Sequence, residues 1–206
     1  MILRVDDLTV AHAGAAPLVA HWSAVIGPGV TLLHGDTGSG KSTVLRALAG
    51  QHPVTGRLTL AGAALDADAA AYRRRVFFCE ATTDAFDQIT ARAATAALSD
   101  GDTAFDAARW AELADGFSLA PHLDKPLYML STGSKRKVWL AAALASGRPL
   151  VLLDEPTGGL DAPSVRCLWA ALARIAAGAD RAVIVASAER LAQVPLAATI
   201  ELPLTS

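Results

Sequence analysis

The chain has 206 residues, which suits one domain with room for an inserted subdomain. Its 52% hydrophobic content is ample for a core, and much of it is alanine, which favours helices. A net charge of −2 excludes a global pull toward nucleic acid or acidic membranes.

In chain order, residues 2–10 alternate apolar and polar side chains and predict a strand. A turn at 13–17 leads to a second strand over 18–25, and Gly27-Pro28-Gly29 turns into a third over 30–34. Residues 42–49 read as a helix ended by Gly50. Residues 56–60 predict a short strand closed by Gly62, so these early strands suggest a small antiparallel sheet. A short helix over 66–75 precedes a buried strand over 76–79. From 82 to 128 the pattern turns helical, with stretches at 89–98 and 103–113 broken at 99–101 and 115–116. One longer helix over 131–145 follows. Residues 149–154 are a continuously apolar strand ending in acid, as in a buried parallel sheet. A helix over 161–177, a buried strand over 182–186 and a last short strand over 199–202 complete the chain. Strands alternating with helices predict a parallel α/β core.

Cys79 and Cys167 are far apart and in apolar surroundings, so free buried thiols in a reducing compartment are expected. The longest apolar run, 138–146, is too short to cross a membrane. The early acids Asp6 and Asp7 argue against a signal peptide. The expectation is a cytosolic protein that meets a membrane only through a partner.

Gly35-Asp36-Thr37-Gly38-Ser39-Gly40-Lys41-Ser42-Thr43 has the form G-x-x-x-x-G-K-[ST] between a strand and a helix. Its glycines allow backbone N–H groups to cradle phosphate oxygens, and the helix N-terminus points partial positive charge at them. Lys41 can reach the β/γ-phosphates and the Ser42 hydroxyl can ligate Mg²⁺. Asp154, at the end of a core strand, can hold Mg²⁺, and Glu155 can polarise a water for in-line attack. The bland alternative for that pair is two acids at a solvated strand end. Lys135-Arg136-Lys137 reads as a solvated helix face rather than a nucleic-acid patch, so no nucleic-acid partner is expected.

Leu130-Ser131-Thr132-Gly133-Ser134 opens the helix before the Asp154 strand, and Gly158-Gly159-Leu160-Asp161 follows the acid pair. With the phosphate loop, their order and spacing resemble ATP-binding cassette (ABC) transporter ATPases over nearly the whole chain. The size is similar to that of the haem-exporter ATPase of cytochrome c biogenesis. The resemblance implies a P-loop NTPase of the ABC type over residues 1–206. Its parts would be a RecA-like parallel-sheet core, a small antiparallel β subdomain and a helical subdomain at about 82–147. It further implies ATP and Mg²⁺ as cofactors, a transmembrane permease subunit as partner, and a second cassette in a homo- or heterodimer. In such a pair Ser131 and Gly133 close over the γ-phosphate held by the other cassette, and Asp161 belongs to the D-loop. Ser131 would cap its helix in either case.

Three positions depart from the family. Where the family has a Gln that touches Mg²⁺ and the attacking water, this chain offers Glu80 or Ala81, depending on register; Glu80 can coordinate metal and Ala81 cannot. The family's His after the strand over 182–186 is replaced by Ser187-Ala188-Glu189, and no His follows His122. Losing one such preorganised contact costs about 10²–10³-fold in rate. His12 falls where an aromatic residue stacks on adenine; it is either a weaker stack or a surface His. The leading expectation is a transporter ATPase with impaired or partner-dependent hydrolysis. The alternative is a degenerate ATP-binding half of a hetero-complex with little turnover. A small-molecule kinase would leave Ser131, Gly133 and Asp161 unexplained.

Overall fold

The structure is a computed structural model that describes residues 1–11, 16–78, 80 and 83–204. Two sheets organise it. The first is antiparallel, in the order β2-β1-β4-β5, from β1 (Leu3–Ala11), β2 (Pro17–Ile26), β4 (Thr55–Leu60) and the two-residue β5 (Ala63–Ala64). The second is parallel, in the order β6-β7-β8-β3-β9. Its strands are β3 (Gly29–His34), β6 (Val76–Phe78), β7 (Leu150–Asp154), β8 (Ala182–Ser187) and β9 (Ala198–Glu201).

The apolar runs of β7 and β8 are explained by burial on both faces. Val151, Leu153, Val183 and Val185 join one core with Phe117, Leu140, Trp139 and Leu172. Leu150, Leu152, Ile184 and Ala186 join the other with Leu45, Leu48, Leu58 and Tyr72. The strand period of two sends alternate residues to opposite layers. The first layer draws on α3 (Ala91–Leu98), α4 (Ala107–Gly116), α5 (Thr132–Ala145) and α6 (Ala162–Ala176); the second on α1 (Lys41–Leu48), α2 (Ala69–Arg74) and the antiparallel sheet.

Helix boundaries follow the caps. Ser131, Asp161, Asp68 and Thr90 each accept a first-turn N–H, so the helices start one residue later. The expected helix over 103–113 is displaced to Ala107–Gly116. Asp106 caps it through the Arg109 N–H, while Asp102 accepts from Ala104 N, Ser146 Oγ and Gly147 N and holds 102–105 as a turn. The helix also runs through Asp115, where a break was expected, and stops at Phe117. Short 3₁₀ turns at Ala120–His122 and Leu127–Met129, which the periodicity does not reveal, connect it to α5. Cys167 is a half-buried free thiol raised above its ordinary pKa by burial; Cys79 lies outside the described residues.

Candidate nucleotide site

The strand order brings three segments to one edge of the parallel sheet. In register, His34 lies beside Ser187 and Ala186 beside Asp154, so β3, β8 and β7 end at the same level. The phosphate loop, residues 187–189 and Asp154-Glu155 leave the sheet there, in the crevice where open α/β sheets bind ligands. A cleft of about 690 Å³ opens between them, lined among others by Leu18, Lys41, Ser42, Asp154, Glu155 and Glu189.

The loop geometry explains its glycines. Gly38 and Gly40 have φ of +85° and +94°, a region that L side chains rarely adopt. A Cβ on Gly40 would also press on Leu18, and one on Gly35 would come within 2.6 Å of Ser39 Oγ. Ser39 N–H donates to Asp36 O at 3.1 Å, and Gly40, the N-cap of α1, has no side chain to cap it. Asp36, Thr37 and Gly38 are exposed at the loop tip, while Thr43 is buried in the first turn of α1.

Lys41 is buried. Its Nζ donates to Gly35 O at 2.7 Å and Asp36 O at 3.1 Å, and lies 3.2 Å from Glu155 Oε1. Glu155 has φ +41°, a strained value for a residue with a side chain. Two main-chain bonds hold that turn: Glu155 N–H to Ala186 O at 2.9 Å and Gly158 N–H to Glu155 O at 3.1 Å. The Glu155 carboxylate also accepts from the Ala188 N–H at 3.0 Å.

For a divalent cation, the donor set fits at Ser42 and Asp154. Both line the cleft, and Asp154 Oδ1 is buried with no hydrogen-bond partner among the described residues. Glu80 is held by a neighbour: its carboxylate takes the Arg46 Nε at 2.6 Å, and it is not among the described residues lining the cleft. That bond, reinforced by the charges of Glu80 and Asp154, raises the Arg46 pKa further. His12 and Ala81 lie outside the described residues. Leu18 and Thr157, which sequence reading did not assign to the cleft, are part of its wall, together with Ala188 and Glu189 from the segment after β8.

Ser131, Gly133 and Asp161 form a second group, none of them among the described residues lining the cleft. Ser131 Oγ accepts from Ser134 N–H at 3.1 Å at the exposed start of α5. A Cβ on Gly133 would clash with Gly159 O, so the glycine permits close contact with the segment carrying Asp161. Asp161 caps α6 through Ser164 N–H at 2.8 Å and pairs with Lys137 Nζ at 2.5 Å. Lys137, then the Ser164 bond, hold its carboxyl well below the usual range. The triplet read as a solvated face is therefore engaged: Lys135 pairs with Asp87 at 2.5 Å, Arg136 donates to Gly158 O, and Lys137 pairs with Asp161. Successive residues on a helix point about 100° apart, which sends the cations to three different partners.

A phosphate loop, an acid pair and a glycine-bearing helix start, arranged on this two-sheet frame, define an ABC-type nucleotide-binding cassette. The ABC transporter family profile matches residues 25–158, and the chain belongs to that family as an ATPase subunit of a transporter. The cytochrome c biogenesis ATP-binding export protein CcmA of Rhodospirillum rubrum is 39% identical over 162 residues, covering 76% of this chain and 67% of that one. The cobalt import ATP-binding protein CbiO of Rhodobacter capsulatus is 36% identical over 171 residues, covering 78% of this chain and 60% of its own length. In fold, an ABC transporter ATP-binding protein from Pyrococcus furiosus superposes with a TM-score of 0.77 at 22% identity, over 98% of both chains. No helix among the described residues is long and apolar enough to cross a membrane.

Proposed function

We propose that this chain binds Mg-ATP in the cleft at the ends of β3, β8 and β7 and hydrolyses it slowly to drive transport through a separate transmembrane permease. The carrying observation is the convergence of Lys41, Ser42, Asp154 and Glu155 on one cleft, with Lys41 Nζ 3.2 Å from Glu155. The loop N–H groups and Lys41 bind the phosphates, and Lys41 exchanges Glu155 for the incoming nucleotide. Ser42 and Asp154 would hold Mg²⁺, whose charge offsets that of the β- and γ-phosphate oxygens. Glu155, released from Lys41, accepts the proton of the attacking water.

The separate group of Ser131, Gly133 and Asp161 supports a head-to-tail pair, in which this surface serves the nucleotide of a second cassette, identical or related. The helical segment at about 82–147 acts as the inserted subdomain, within a single domain of 1–206. The protein works on the cytoplasmic face of the membrane through its permease. Relatives named for cytochrome c biogenesis export and for cobalt import both match, which supports a cargo set by the membrane partner.

The second reading, an ATP-binding half with little turnover, is favoured by residues 187–189. Ala188 and Glu189 line the cleft and neither brings a positive or imidazole donor. His34 does not substitute; its Nδ1 pairs with Glu201 at 2.6 Å. Steady-state phosphate release separates the readings. Ala188→His is expected to raise kcat by about 10-fold or more with a smaller effect on KM, because the contact matters most as charge develops. Wild-type turnover as low as that of Glu155→Gln, with the permease present, selects the binding-only reading.

A further inference from the structure

The geometry points to the Ala188 peptide N–H, aimed by the Ser187 hydroxyl, as the group that positions Glu155 in this chain. The inference rests on the proposed role of Glu155 as the base and goes beyond it. Glu155 Oε1 has two partners of different fate. Lys41 Nζ, at 3.2 Å, is the one that phosphate would claim. The Ala188 N–H, at 3.0 Å, is main chain and stays where the backbone puts it. The backbone there is itself held. Ser187 is buried at the end of β8, and its Oγ accepts the Glu189 N–H at 3.0 Å, closing a turn around Ala188. Residue 186 completes the link, since its carbonyl accepts the Glu155 N–H at 2.9 Å.

The strand end after β8 therefore grips Glu155 at both main chain and side chain. With Lys41 drawn to the nucleotide, the Ala188 N–H keeps the carboxylate facing the cleft without a side chain at position 188. Ser187 is a positioning residue in this scheme. It acts through Ala188 and touches no reacting atom.

The test uses the full-length chain in two assays. In hydrogen exchange, the Ala188 amide is expected to exchange about tenfold more slowly in wild type than in Glu155→Ala. Equal rates overturn the inference, whatever the turnover. In steady-state hydrolysis, Ala188→Pro, which lacks the N–H, and Ser187→Ala, which frees the turn, are each expected to lower kcat by about tenfold with the Kd for Mg-ATP unchanged. Ser187→Thr keeps the hydroxyl and is expected to recover turnover. Wild-type kcat in both Ala188→Pro and Ser187→Ala overturns the inference. A wild type without turnover instead contradicts the proposed hydrolysis, and the exchange assay then decides the inference alone.

Discussion

Asp161 shows how one carboxylate serves two segments. One oxygen caps α6 and the other meets Lys137 on α5, so the start of α6 is tied to the helix before it. Both contacts favour the charged form and depress its pKa. The sign follows from linkage: a depressed folded pKa gives stability that is complete above the unfolded value of about 3.9 and is lost as pH falls below it. Asp161→Asn is therefore expected to lower Tm at pH 7 and to flatten the fall in Tm below about pH 4. Because Asp161 is exposed, the effect is small; parallel Tm curves for mutant and wild type would contradict the pairing. Single residues were also where sequence reading was least informative. Every residue but proline carries the N–H that Ala188 offers Glu155, so no side chain announces it. The partners of Lys135, Arg136 and Lys137 lie 48, 22 and 24 positions away, beyond any local pattern.

At the scale of elements, the phosphate-loop helix is braced from behind. Tyr72 on α2 is fully buried, and its hydroxyl donates to Leu48 O at 2.8 Å, at the last turn of α1. Burial raises its pKa, so the hydroxyl remains a donor. Tyr72→Phe leaves that carbonyl without its donor and is expected to cost about 1 kcal/mol, read as a lower urea midpoint at unchanged m-value. No change in midpoint would mean that the bond contributes nothing net. Strands such as β3, β7 and β8 were legible because burial on both faces leaves a continuous apolar run. The phosphate loop and the acid after β7 were legible because their chemistry requires particular residues at fixed spacing. The segment 102–130 was less so. There Asp102 and Asp106 hold turns and caps that outweigh helical periodicity, and the 3₁₀ turns have no period long enough to read.

At the scale of the whole molecule, the two groups of candidate residues lie apart. Lys41, Ser42, Asp154 and Glu155 share the cleft, while Ser131 and Asp161 are exposed and Gly133 half-buried outside its lining. Such a division makes sense if each cassette completes the site of another. Glu155→Gln keeps shape and removes the proposed base, so light scattering with Mg-ATP is expected to show a trapped dimer, with itself or with a partner cassette. A monomer with every candidate partner would count against the paired arrangement. All of this depends on nucleotide entering the cleft through Lys41. Calorimetric titration of Mg-ATP into wild type and Lys41→Ala tests that most directly. The account predicts binding to wild type and a loss of affinity of about tenfold or more in the mutant, since a charge-assisted phosphate contact is removed. Equal affinity for the two proteins, or no binding to either, would contradict it.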